Sequence, residues 1–382
     1  MDMNVIKNNQ AWIDETFAKV EKKLSKTAIK SRDKLPYTTV DGVHDNCYET
    51  RPNWWTNGFW GGMMWLMYLA TNNEEFKKTA QRSEELLDLG MEKYEGLHHD
   101  VGFMYHLTAG ASYRITGDRK SYLRNMYAAC TLASRYNIDG KFISAWNGTD
   151  HEGWSIIDCL MNIPLLYWAS KEQKVDRFKR VAMSHCDMAI RDHIREDGSV
   201  NHIVEHKIDS DEVVRVYGGQ GYEDTSCWSR GLAWAVYGTV LSYIHTGKKE
   251  YLDAAIKTAN YFIANAAATG YKTIVDFKSP LEPVLYDSTA GVCTACGLLE
   301  LAKFVSPTEA QMYTEAAINL LKATDEHFCD YSEEQDALVL MGTERYPLTE
   351  TAAKGVHIPI VYGDFFFVEA LCKLKGVDFL IW

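Results

Sequence analysis

The same joint recurs five times along the sequence. A helical run ends, a short polar turn follows, and a new helix opens with charged residues and an aromatic or apolar anchor: LATNNEEFKKTA, RITGDRKSYLRN, WASKEQKVDRFK, IHTGKKEYLDAA and FVSPTEAQMYTEA. The joints fall at Thr71, Thr116, Ser170, Thr246 and Ser306, between 45 and 76 residues apart. That spacing is too uneven for a sequence repeat, and it points to a repeated architecture of helical hairpins. At each joint Thr, Ser or Asn can cap the incoming helix. Gly117 and Gly247 can take the left-handed turn that ends the outgoing one.

Apolar periodicity predicts twelve helices, near residues 8–24, 57–70, 74–93, 103–116, 119–136, 154–169, 174–193, 225–246, 249–266, 288–304, 307–327 and 363–375. Strand-like text is confined to connectors such as GSVNHIVEHK and EVVRVYGG. Six antiparallel hairpins without a sheet to cover can close as an inner ring inside an outer ring. The expected fold is therefore all-α, an (α/α)6 barrel forming one domain over residues 1–382; an open helical solenoid is the alternative. Helices that precede a joint (GFWGGMMWLMYLA, RGLAWAVYGTVLSY, STAGVCTACGLLELAK) are rich in Gly, Trp and small residues, as inner helices buried on all sides would be. Those after a joint are amphipathic, as outer helices would be. The N-terminal ends of the inner helices then gather at one mouth.

The 46% apolar content supports a full core, and the net charge of −12 argues against nucleic-acid binding, which needs basic stripes. The start lacks the apolar stretch of a secretory signal, and no run approaches the eighteen apolar residues of a membrane span. The nine scattered cysteines include one CxxC, Cys293 to Cys296, without a second ligand pair, so they read as buried thiols in a reducing cytoplasm. Eleven Trp and twenty-two Tyr are a surplus that either lines a sugar-binding cleft or fills the core.

Five aspartates, Asp100, Asp158, Asp224, Asp287 and Asp364, fall at or just before the starts of inner helices. For Asp224, Asp287 and Asp364, capping suffices. Asp158 is expected a turn inside the helix 154–169, among Ile156, Ile157, Leu160 and Met161. Burial there should raise its pKa and make it a general acid. Asp100 follows His98 and His99; adjacent histidines are poor metal-ligand spacing, so no metal site is expected. Two carboxyls at one mouth suggest sugar chemistry. Arg230, at the head of an inner helix beside Gly231, can hold a carboxylate with two hydrogen bonds. Trp54, Trp146 and Trp228 could wall a pyranose ring, though each reads equally well as core. His202 and Gln220, in the long connector before residue 225, can supply hydrogen bonds.

The blocks HHDVGFMYHLTAGASYRITGD, AWNGTDHEGWSIIDCLMNIPLLYWAS, GQGYEDTSCWSRGLAWAVYG and IVYGDFFFVEAL resemble the unsaturated glucuronyl hydrolases, glycoside hydrolase family 88. The likeness runs nearly the whole chain and implies an (α/α)6 barrel. It also implies that the enzyme hydrates the C4=C5 double bond of the unsaturated uronate in lyase-made oligosaccharides of glycosaminoglycan type. By this resemblance Asp158 protonates C4 and then serves as base for the water that adds at C5, and Asp100 supports it. His202, Gln220, Trp228 and Arg230 match the family's substrate-binding set; Trp54 and Trp146 match less closely. A Ser-x-x-Ser-x-Lys stretch tied to sulfate preference aligns with TETAAK, Thr349 to Lys354, in which Lys354 keeps the charge and Ala352 has no hydroxyl. Cys159, Leu160 and Leu232 depart from the commoner family residues. The resemblance implies no metal or organic cofactor. The expected partners are small unsaturated uronate-containing oligosaccharides acted on by a cytoplasmic monomer or homodimer, with no nucleic acid and no membrane. The rivals are the family 105 unsaturated rhamnogalacturonyl hydrolases, a sugar epimerase on a related barrel, and a non-catalytic sugar-binding barrel.

Overall fold

A computed structural model describes residues 1–382. Six inner segments, Asn57–Thr71, Gly102–Gly110 continued by Ala111–Thr116, Pro164–Gln173, Ser229–Thr246, Ser288–Leu301 and Val361–Leu374, pack in chain order, and the last returns to the first. The outer helices are Gln10–Lys30, Glu74–Leu86, Arg119–Ser134, Arg177–Asp192, Lys249–Ala268 and Pro307–Phe328. The architecture is the closed (α/α)6 barrel. Every residue of Ser288–Leu301 and of Val361–Leu374 is buried, whereas Arg177–Asp192 buries one stripe that includes Phe178, Ala182, His185, Cys186 and Ala189. Glycines let the inner helices approach closely: a Cβ on Gly58 would lie 2.0 Å from the Phe103 carbonyl, and one on Gly238 would lie 2.5 Å from Leu160 Cβ.

The joints divide the work differently from the sequence reading. Ser306 caps its incoming helix in a capping box with Glu309. Thr71, Thr116 and Thr246 instead end the outgoing helix, each hydroxyl donating to the carbonyl four residues back. Asn73 and Asp118 cap the helices that follow Thr71 and Thr116. Gly117 and Gly247 take the left-handed turn, at φ 75° and 70°.

The largest departure is at residues 154–169, where one helix was expected. The chain runs as strand Trp154–Ile156, a 3-10 turn Ile157–Met161 and then helix Pro164–Gln173. Pro164 at the helix start has no N–H to lose there, and the β-branched Ile156 and Ile157 favour the extended backbone before it. Seven short strands lie in the connectors: β1 Thr39–Val40, β2 Val43–His44, β3 Tyr136–Asn137, β4 Phe142–Ile143, β5 Trp154–Ile156, β6 Ile203–His206 and β7 Val213–Tyr217. The last three form an antiparallel sheet in the order β5-β6-β7.

The barrel floor is filled. Trp382 stacks on Phe366 and donates to both carboxylate oxygens of Glu369, while Lys373 pairs with Glu300 and Glu369. The opposite end, at the starts of the inner helices, stays open. All nine cysteines are free, and no helix is long and apolar enough to cross a membrane.

Candidate active site

A cavity of ≈ 230 Å³ occupies the open mouth. Asp158, Asp100, Arg230, Gln220, Trp54 and Trp146 line it, along with His98, His99, Tyr37, Trp55, Ile156, Glu344, Arg345 and Tyr362. The sheet explains why residues distant in sequence meet there. Its last rung toward the cavity is Ile156, Ile203 and Tyr217. Asp158 follows that rung on β5, His202 precedes it on β6, and Gln220 follows it on β7. Backbone bonds extend the layer: Ile157 N–H donates to the His202 carbonyl at 3.1 Å, Ala145 N–H to Trp154 at 2.8 Å, and His99 N–H to Ala145 at 3.2 Å. The segments carrying Asp100, Trp146, Asp158 and His202 are therefore one hydrogen-bonded layer across the mouth.

Asp158 is open only to the cavity, its side chain 16% exposed, and burial pushes its carboxyl up to about 7 against the pull of the Arg230 guanidinium. Burial, then the neighbouring Asp158, holds Asp100 well above the usual carboxylate range. Asn162 Nδ2 donates to Asp100 Oδ1 at 3.0 Å, and Asn162 Oδ1 accepts the Phe103 N–H at 2.8 Å, so Asn162 fixes the orientation of Asp100. His202 Nδ1 accepts the Gln220 N–H at 3.0 Å, which places the ring proton on Nε2, and burial lowers the ring's pKa to about 3. That neutral Nε2–H faces Asp158 Oδ1 at 3.8 Å.

Arg230 is fully buried and mostly engaged. Its Nη1 pairs with Asp287 and donates to the Thr343 carbonyl at 2.7 Å; its Nη2 donates to the Glu344 carbonyl at 2.7 Å. The guanidinium lies between Trp228 and Tyr362, 4.5 and 5.3 Å from their ring centroids. Only Nε is buried without a partner. Asp287 is thus a cap, as its position suggested, and also the counter-ion of Arg230. Trp228 stands behind the cavity against Arg230 and His202, with its ring 4.4 Å from the imidazole. The face of Trp54 carries Arg51 at 4.6 Å. The Gln220 side-chain amide donates to the Glu344 carbonyl at 2.5 Å. Lys354 is exposed at the end of the short helix Glu350–Ala353, outside the cavity lining.

Of the groups that line the cavity, Trp54 Nε1 and Arg230 Nε are buried donors without partners and Asp158 Oδ1 is a carboxyl oxygen without one; His202 Nε2 and Trp228 Nε1, also without partners, belong to residues just outside the lining, His202 Nε2 facing Asp158 Oδ1. Each unsatisfied buried donor costs about 1–3 kcal/mol. A ligand rich in acceptors, such as a carboxylate bearing hydroxyls, recovers that cost. The possible ligand atoms of His98, His99 and Asp100 lie within 4.8 Å of one another, but they come from consecutive residues, and Asp100 already accepts from Asn162.

Tyr37, Trp55, Glu344, Arg345 and Tyr362 were not singled out in the sequence. Glu344 and Arg345 belong to GTERYP, in the long connector before the last inner helix; the length of that connector was the available signal. Tyr37 donates to Glu344 Oε1, while exposed Arg345 has no ion pair.

No protein-family model matches the chain. The unsaturated glucuronyl hydrolase of Bacillus sp. (strain GL1) is 32% identical over 358 residues, 91% of this chain and 92% of that protein. An unsaturated chondroitin disaccharide hydrolase of Streptococcus pneumoniae is 32% identical over 347 residues, 88% of this chain and 86% of that one. Among solved structures, the unsaturated glucuronyl hydrolase of Bacillus sp. GL1 superposes with a TM-score of 0.88 at 28% identity, covering 95% of this chain and 97% of its own. A mutant of the Streptococcus agalactiae enzyme complexed with dGlcA-GalNAc6S gives 0.82 at 26% identity, covering 97% of this chain and 93% of its own. Likeness of sequence and barrel at this coverage, around a mouth that holds two carboxyls of raised pKa, establishes that the chain belongs to the unsaturated glucuronyl hydrolases.

Proposed function

We propose that this enzyme hydrates the unsaturated uronate of lyase-made disaccharides of glycosaminoglycan type, with Asp158 as acid and then base. The observation that carries the assignment is the pair of buried carboxyls, Asp158 and Asp100, in one cavity with Arg230 and Trp54, with Asp158 Oδ1 left without a partner. The uronate carboxylate takes Arg230 Nε, and hydroxyls take His202 Nε2 and the Trp54 indole. Trp146 walls the linked sugar, and Trp228 acts from behind by fixing Arg230 and His202. Protonated Asp158 gives its proton to C4 as the C4=C5 π electrons form the C4–H bond, leaving positive charge shared by C5 and the ring oxygen. The Asp158 carboxylate then takes a proton from water as its oxygen bonds to C5. The hemiketal opens, the ring oxygen becomes a hydroxyl on C1, and C1 expels the linked sugar. Asp100 holds a substrate hydroxyl and keeps the second carboxyl proton close to Asp158.

The test is incubation with an unsaturated chondroitin disaccharide. Hydration destroys the ultraviolet absorbance of the conjugated double bond, whereas epimerisation or simple binding leaves it. Preserved absorbance with all unsaturated chondroitin, hyaluronan, heparin and gellan fragments would sink the proposal.

A further inference from the structure

The sheet that delivers Asp158 and His202 has a core of its own. Ala145, Ile156 and Ile203 form a buried cluster separate from the 99-residue core of the barrel, and Trp146, Trp154 and Tyr217 cover it. On that cover, Trp154 and Tyr217 lie 4.8 Å apart at 31°, His151 stands edge-on to Trp154 at 4.5 Å, and Arg215 lies over Tyr217 at 4.6 Å. The Tyr217 hydroxyl donates to Glu205 Oε2 of the neighbouring strand at 2.5 Å, a bond apart from the ring contact itself. On the next segment, Asp224 accepts from Arg215 at 3.2 Å and from the Gly218 N–H at 2.9 Å. The outer strand is otherwise weakly held: it is a sheet edge, and Val213 and Val214 are 39% and 55% exposed. Neither Trp154 nor Tyr217 lines the cavity.

The geometry points to the Trp154–Tyr217 stack as the positioning element of the reaction, holding β5, β6 and β7 in the register that aims Asp158 and His202 at the same substrate atoms. Trp154 opens β5, and Asp158 lies four residues on, in the 3-10 turn that follows that strand, while Tyr217 lies three before Gln220, whose N–H fixes the His202 tautomer. Loosening the stack lets the three strand ends separate and admits water beside Asp158. A misplacement of about 1 Å at reacting groups can cost about 10²-fold in rate. The inference rests on the proposed role of Asp158.

The test compares Tyr217→Ala, Tyr217→Phe and Trp154→Leu by kcat, KM, Tm and the titration midpoint of the Asp158 carboxyl, followed by 13C NMR. The groups that face Asp158, namely Asp100, Cys159, His202, Arg230 and Tyr362, are intact in every variant. Tyr217→Ala and Trp154→Leu are expected to lower kcat by about tenfold or more, with KM and Tm little changed and the Asp158 midpoint moved down as water enters. Tyr217→Phe, which keeps the ring, should retain kcat and midpoint. Unchanged kcat and midpoint in Tyr217→Ala overturn the inference. So does a Tyr217→Phe variant as damaged as Tyr217→Ala, and so does collapse of the whole fold, which would make the stack part of the barrel core. If the wild-type enzyme turns over no unsaturated disaccharide, the proposed function fails, while the NMR midpoints still report whether the stack controls Asp158.

Discussion

His202 Nε2 and Asp158 Oδ1 face each other at 3.8 Å, and neither has a hydrogen-bond partner. The distance is too long for a hydrogen bond, and the imidazole is neutral, so no ion pair compensates the buried carboxyl. The gap leaves Oδ1 unoccupied for a substrate atom, while the imidazole N–H stands ready for a neighbouring oxygen. Asp158→Asn retains shape but cannot donate and recover a proton, so it should reduce turnover by about 10²-fold or more while substrate still binds. A loss of less than about tenfold, measured by absorbance decay, would remove Asp158 from the acid–base role.

The pH dependence of rate follows from the same carboxyl. Asp158 must hold its proton to protonate C4, and its value of about 7 sets the window. The protonated fraction is nearly complete below pH 6 and falls about tenfold per unit well above pH 7. The Asp158 charge in turn adds to the burial that holds Asp100 up, so Asp100 stays protonated through the same range. A kcat/KM profile that stays flat from pH 6 to pH 9 would contradict this.

Arg230 was expected from sequence to act mainly on affinity, and its surroundings add a second consequence. Removing the guanidinium leaves Asp287 buried without its counter-ion and two carbonyls without a donor. Breaking a buried pair typically costs about 3–5 kcal/mol. Arg230→Ala should therefore raise KM and also lower Tm, whereas the double variant Arg230→Ala with Asp287→Ala should recover part of the Tm and none of the affinity. Unchanged thermal stability in the single variant would show that the pair holds nothing together.

Stability should fall as pH falls below about 6.5. Burial lowers the pKa of nine histidines: His44, His98, His99, His106, His185, His193, His202, His245 and His357. The unfolded chain protonates them below about 6.5, whereas the folded chain resists until a lower pH, near 4 for His44, His98, His193 and His245 and near 3 for His185 and His202, so stability is lost as pH falls through that window. Asp100, Asp158 and Asp364 act with the opposite sign, because burial makes the folded state keep protons that the unfolded state has released. Nine groups oppose three, so the histidines decide the direction. Calorimetry should find a lower Tm at pH 5 than at pH 7.5; a higher one would mean that these rings are hydrated.

The barrel was legible because its evidence is periodic and repeated: five joints and two kinds of helix, one apolar all round and one striped. Asp158 was legible as a carboxyl among Ile156, Ile157 and Leu160, although the helix assigned to it does not exist. An apolar run reads alike as buried helix or buried strand, and what separates them here, pairing with Ile203 and Val204 nearly fifty residues away, is not local. The same non-locality hid the partners of Arg230. Its neighbours in sequence showed the head of an inner helix, but nothing near it pointed to Thr343 or Glu344. Tyr37 and Arg345 carry no pattern at all, since each reaches the cavity only because a connector folds back over the mouth.

Sulfate recognition separates the sequence alignment from the structure most sharply. The aligned stretch Thr349 to Lys354 has one cation and one hydroxyl that matter. The Thr349 hydroxyl accepts the Ala352 N–H at 3.1 Å, capping its own short helix, which holds it on that exposed turn outside the cavity lining. Ala352 has no donor on its side chain, and Lys354 is exposed away from the cavity. An exposed cation contributes at most about 1 kcal/mol to an ion pair, which is about fivefold in affinity. Arg345, by contrast, lines the cavity with no ion pair, and its neighbours are pinned: Glu344 N–H donates to Gly355 and Tyr346 N–H to Gln220, both at 2.8 Å. Unsulfated and 6-sulfated unsaturated chondroitin disaccharides should therefore both be turned over, with a preference for sulfate below about a hundredfold, the equivalent of about 2.7 kcal/mol. Lys354→Ala should change kcat/KM for either substrate by less than about fivefold, and Arg345→Ala should lower it more for the sulfated one. A strong sulfate preference abolished by Lys354→Ala would show that the connector closes over the substrate and brings Lys354 to a mouth it does not reach in this structure.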